Sequence, residues 1–69
     1  MKDIRIDTEF IRLDALLKFA GCVWSGGEAK SAIAEGLASV NGEVCTMRGK
    51  KLYAGDTVSF GGEEFRVAK

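Results

Sequence analysis

Apolar side chains recur along the chain with two different periods, and the change of period divides it. Over residues 12–20 they fall at Leu13, Leu16, Leu17 and Ala20, the i, i+3, i+4, i+7 spacing that lines one face of a helix. Asp14 stands four residues before Lys18, the favourable order for an ion pair on the opposite side. Gly21 follows at once and suits the left-handed position that closes a helix. A second helix is predicted from Ser25. Ser25 and Glu28 have capping-box spacing: the serine oxygen accepts an amide of the first turn, and the glutamate reaches back. Trp24, just before the cap, is placed to pack on Ala29 as a hydrophobic staple. Ala29, Ala32, Ile33 and Leu37 follow on one face, and Gly36 marks the end.

Beyond Gly36 the period shortens. Two short extended runs, 37–40 and 43–45, flank Asn41 and Gly42. Asn-Gly between such runs is the strongest local hairpin signal, because both turn residues need positive φ. Gly55-Asp56 predicts a second turn, 57–60 a strand, Gly61-Gly62 a third turn and 63–67 a last strand. Residues 4–7 read as a short first strand. The pattern predicts an α+β chain with both helices on one side of a small antiparallel sheet.

Length sharpens this. At 69 residues the chain reads as one domain, 1–69, since domains rarely run below about 50 residues. Its core must be small: a chain of about 60 residues buries only about 60% of the surface its unfolded form exposes. Little room remains for an internal catalytic cleft. Hydrophobic residues make up 46% and charged residues 29%, as in ordinary globular protein. No apolar run approaches the roughly 18 residues of a membrane span. The first five residues alternate charged and apolar types, unlike a signal peptide. The expectation is a cytoplasmic protein that engages no membrane.

The chemistry-bearing residues are sparse. The chain has no histidine, which removes the commonest general base near neutral pH. No nucleophile, base and orienting group form a set. The reading is a non-enzyme with no cofactor and no small-molecule substrate. Cys22 and Cys45 stand far apart, with no CxxC and no histidine to complete a zinc site. No metal is expected, and both thiols read as small buried apolar residues.

Ten Lys and Arg balance ten Asp and Glu. A net charge of zero lacks the strongly basic footprint usual for nucleic-acid binding, so any such function must come from where the charges sit. Residues 44–55 carry Arg48, Lys50 and Lys51 and no acid. One reading is a solvated loop. The other is a small phosphate-binding patch, modest in affinity and strongly salt-dependent, with Gly49 allowing close backbone approach. Tyr53 reads as packed on a sheet edge, with stacking on an unpaired base as the alternative. Gly26 and Gly27 each weaken a helix by up to about 1 kcal/mol relative to Ala. Bare backbone there has a use, because helix N-terminal amides form an anion site.

Arg12-Leu13-Asp14, Leu17, Gly21, Ser25, Ala29, Ile33, Gly36, Val40-Asn41-Gly42 and Gly55-Asp56, in this order and spacing, resemble the S4-like RNA-binding domain over about residues 10–60. Segments 25–30 and 48–52 are similar to the small stand-alone bacterial members, which carry no catalytic domain. The resemblance implies an αL-type motif, two packed helices against a small antiparallel sheet. It also implies binding of structured RNA, ribosomal or transfer, with the ribosome or its precursors as candidate partners. Carried over by position, it puts Arg12 and Lys18 on the first helix. Ser25, Gly26, Gly27 and Lys30 fall at the second, and Arg48, Lys50 and Lys51 on the loop after the hairpin. Many members have Arg directly after the motif serine, where this chain has Gly26. That contact is therefore missing, or is replaced by backbone amides and Lys30. Two readings of other classes compete. One is a ubiquitin-like carrier or protein-interaction module, suggested by Gly61-Gly62. The other is a DNA-binding helix pair.

Overall fold

The computed structural model describes residues 1–69. In chain order the elements are β1 (Lys2–Arg5), β2 (Ile11–Arg12), α1 (Leu13–Phe19), α2 (Gly26–Ala34), β3 (Ala38–Val40), β4 (Glu43–Val44), β5 (Lys51–Leu52), β6 (Thr57–Phe60) and β7 (Glu63–Ala68). No helix is long and apolar enough to cross a membrane.

The periodic stripe of α1 turns inward: Leu13, Leu16 and Leu17 are fully buried. Both helices close with the same motif. Cys22 N–H donates to Leu17 O at 2.9 Å, and Gly21 N–H to Lys18 O at 3.1 Å. Leu37 N–H donates to Ala32 O at 3.1 Å, and Gly36 N–H to Ile33 O at 3.0 Å. These are paired 6→1 and 5→2 bonds around a left-handed glycine, at φ 81° for Gly21 and 80° for Gly36. Leu37 thus lies beyond the helix rather than on its buried stripe, and it is exposed.

The start of α2 differs from its expectation in two details. Ser25 Oγ accepts the Glu28 amide at 3.2 Å, as predicted. The Glu28 carboxylate, however, takes the Trp24 N–H at 2.5 Å rather than that of Ser25. The Trp24 indole is 94% exposed and is no staple, while Ala29 is buried in the core. The expected Asp14–Lys18 pair is also replaced. Asp14 Oδ2 lies 3.1 Å from Arg12 Nη2, and Oδ1 accepts the Ala15 amide at 2.8 Å.

The main sheet has the order β1-β7-β6-β3-β4. β3 and β4 join through Asn41 (φ 51°) and Gly42 (φ 86°), the paired positive dihedrals expected of Asn-Gly. The sheet is mixed rather than wholly antiparallel, because β1 pairs parallel with β7, Ile4 opposite Val67. Residues 6–62 separate these strands, beyond any local period signal. β1 also begins two residues earlier than predicted. Side chains of alternate residues face one side: Ile4, Phe65, Val67, Val58, Val40 and Ala38 are buried and belong to the same core as the helix stripes. Asn41 ties the hairpin to the next turn. Its Oδ1 accepts the Thr57 amide at 2.9 Å, and its Nδ2 donates to Asp56 at 3.2 Å.

Cys22 and Cys45 are free and half-buried rather than buried, packed against the edge of the core. Burial first, and Glu63 second, push the Cys22 thiol above its ordinary value, with Lys2 opposing. The thiolate is the reactive form, so iodoacetamide should label Cys22 more slowly in the folded than in the urea-unfolded chain at one mildly alkaline pH. As pH rises through the unfolded-state value, the unfolded chain ionises first, so this residue lowers stability there.

Phe65 is the largest fully buried side chain. Phe65→Ala should cost about 3–5 kcal/mol. A domain of this size holds roughly 0.05–0.15 kcal/mol per residue. Urea titration by circular dichroism should therefore find the variant largely unfolded or close to it.

Candidate functional site

Arg12 sits where β2 passes into α1, as the N-cap residue in extended conformation, with no side-chain cap on the helix. The first amides of any helix need partners. Here they come from the acid-free loop: Leu13 N–H donates to Lys50 O at 2.9 Å, and Asp14 N–H to Arg48 O at 3.0 Å. β2 and β5 then pair, Ile11 opposite Leu52 and Arg12 opposite Lys51. This two-stranded ribbon was not visible in the periodicity, because strands of two residues carry no period. It anchors the loop through Leu52, which is fully buried.

The Arg12 guanidinium lies against Gly49. A Cβ built there would stand 3.7 Å from Nη2 and 3.9 Å from Nε, ordinary van der Waals contact. Arg12, Asp14, Ala15, Lys18 and Gly26 line a hollow of about 230 Å³ between α1 and the start of α2. Lys30 is one turn along α2 from Gly26, on the same helix face. A Cβ at Gly26 meets nothing within 4 Å, so the arginine common in the resembling family has space here.

The predicted residues therefore separate into groups. Arg12, Lys18 and Gly26 share the hollow, while Lys30, one turn along α2, does not line it. Arg48 and Lys50 are tied to the start of α1 by their carbonyls and Lys51 pairs with Arg12, but none of the three lines the hollow. Ser25 and Gly27 do not line the hollow, and Ser25 is engaged as the α2 cap. All six cations are exposed. Arg12 alone among them has a carboxylate partner. The other two ion pairs of the protein, Lys2–Glu63 and Arg66–Asp3, lie on β1 and β7.

Sequence reasoning missed Phe10. Lys51 Nζ lies 4.9 Å from its ring centroid, and Tyr53 packs against it at 6.0 Å. No sequence signal points to it, because the contact follows from the register of the β2–β5 ribbon. A larger hollow, about 460 Å³, follows the open edge of β4. It is lined by Glu43 as well as Lys50 and gathers no set of like charges. No group of three or more His, Cys, Asp or Glu is arranged to hold a metal ion.

An exposed, mostly unpaired cationic surface around a helix N-terminus is suited to polyanionic phosphate. Comparison with known proteins places this geometry. The S4 domain pattern matches residues 4–68. A Bacillus subtilis (strain 168) protein named as a probable ribosome maturation protein, RlbA, is 48% identical over 59 residues, 86% of this chain and 83% of its own. YbcJ of Escherichia coli (strain K12) is 47% identical over 57 residues, 83% of this chain and 81% of its own. The solution structure of YbcJ from E. coli, described as revealing an αL motif involved in RNA binding, superposes with a TM-score of 0.75 at 40% identity. It covers 100% of this chain and 89% of that one. The α+β fold with its αL helix pair, the matched residues and these relatives agree: the chain belongs to the S4 domain family.

Proposed function

We propose that this protein is a non-enzymatic RNA-binding module, 1–69 acting as one domain, that recognises structured RNA on a ribosomal particle or its precursor. The observation that carries the reading is that Arg12 and Lys18 line one hollow, with Lys30 one turn along α2 and the backbone of Arg48, Lys50 and Lys51 fastened to Arg12 and the start of α1; of these six cations only Arg12 has a carboxylate partner. The relatives support it: one is named for ribosome maturation, and another is described as having an RNA-binding motif. Cations spaced on rigid elements read phosphate geometry, which is how folded RNA is mainly recognised. Gly26 and Gly27 add open amides at the start of α2.

The carrier reading loses its support. Gly61 and Gly62 form the β6–β7 turn, and β7 supplies Phe65 and Val67 to the core. Processing after Gly62 would delete that strand. Equal-salt competition between duplex DNA and ribosomal RNA separates RNA binding from a DNA-binding helix pair.

Each phosphate contact contributes about −0.7 to −0.9 to the slope of log affinity against log salt. Lys50→Ala with Lys51→Ala should flatten the slope for ribosomal RNA by roughly 1.4–1.8. An unchanged slope removes the loop from the site. Gly26→Arg places a cation over the open hollow and should tighten binding about tenfold, the equivalent of one charge-assisted hydrogen bond. Weaker binding by the folded variant would show that the ligand needs the bare backbone. Cosedimentation with ribosomal subunits and their precursors tests the particle.

A further inference from the structure

Phe10 and Tyr53 immediately flank the ribbon that carries Arg12 and Lys51. In the β2–β5 register Ile11 lies opposite Leu52, and Arg12 opposite Lys51. Strand side chains alternate faces. Leu52 is fully buried, so its face of the ribbon is the inner one, and Arg12 and Lys51 share the outer one. One step further along the register sets Phe10 against Tyr53, again on the outer face. The side chains agree: the two rings are 6.0 Å apart with planes inclined by 51°. Lys51 Nζ sits over Phe10 at 4.9 Å, the diagonal neighbour expected in a ribbon. Two aromatic rings and two cations thus occupy one face.

The rings are not equivalent. Phe10 is half-buried, with Lys51 above it. Tyr53 is 45% exposed, backed by Phe10 and fixed at its backbone, where its amide donates to Asp56 at 2.8 Å. It is a supported ring with surface open to solvent, beside two cations. We propose that Tyr53 stacks on an unpaired base of the bound RNA while Arg12 and Lys51 hold the phosphates next to it. This rests on the RNA-binding reading above and narrows the ligand. Paired bases hide their faces within the stack, so the RNA must present a bulged, looped or terminal nucleotide beside its helix. Base–aromatic stacking of this kind tolerates any base, because every base has a π-face.

The test uses the full chain and two RNAs: a blunt duplex, and the same duplex with one bulged adenosine. The wild-type protein should prefer the bulged RNA by about fivefold or more. Tyr53→Leu, which keeps apolar bulk against Phe10 but cannot stack, should abolish that preference and leave blunt-duplex affinity unchanged. Tyr53→Phe should retain it. Equal wild-type affinity for both RNAs overturns the stacking role and leaves the RNA-binding reading standing. So does a preference that survives in Tyr53→Leu, or an equal loss on both RNAs, which marks a structural role. Failure of the wild-type protein to bind either RNA overturns the RNA-binding reading and the stacking role with it.

Discussion

The N-terminus of α1 has no side-chain cap, and the way its amides are satisfied organises the candidate site. The carbonyls of Lys50 and Arg48 take the Leu13 and Asp14 amides. Each such bond contributes only about 0.5–1.5 kcal/mol net, but leaving a buried donor unmet costs more. The loop is therefore held to the helix by necessity of the backbone rather than by its own side chains. Everything nearby follows from that attachment. β5 reaches β2, Leu52 enters the core, Arg12 comes to lie across from Lys51 and against Gly49, and the side chains of a cation-rich loop are left outside. Because carbonyls do the fastening, the charged groups remain free for a ligand.

The proposed basic surface sits on a chain of zero net charge, and the positions of several acids bear on it. Asp3 and Glu63 pair with Arg66 and Lys2 on the β1–β7 part of the sheet. Glu28 is occupied at the start of α2. Asp14 is the one acid lining the hollow, and it is bound to Arg12 and the Ala15 amide. The charges are sorted by position, not removed. On the proposed reading a ligand would meet the charges near it rather than the net charge, because at physiological ionic strength fields beyond about 8 Å are screened.

A core built from so few residues leaves little margin, and the fold uses short-range devices to support it. Two identical glycine closures end the helices. Asn41 accepts a left-handed turn and in the same place bonds to Thr57 and Asp56. Against this economy, Gly26-Gly27 in the first turn of α2 is a local cost in helix stability. Nothing packs closely against Gly26, so the core does not require it. Openness toward the hollow is the property it supplies, consistent with a site whose local rules yield to ligand access.

Local signals in the sequence were sufficient for the two helices, their glycine ends, the Ser25 cap and the Asn-Gly hairpin. Each depends on residues within a turn or two of one another, and propensity, φ preference and period act at that range. Other features depended on tertiary structure. The parallel β1–β7 pair and the β2–β5 ribbon join segments far apart in sequence. The partner of Asp14 was decided by the extended conformation at Arg12, which brings the guanidinium to it in place of Lys18. Trp24 and Leu37 read as apolar packing residues but face solvent: Glu28 holds the Trp24 backbone, and the helix ends before Leu37. Only the folded chain could set Phe10 and Tyr53 on one face with Arg12 and Lys51, because that proximity is a consequence of register. Composition and period determined which elements form. Long-range backbone pairing decided which of their side chains meet.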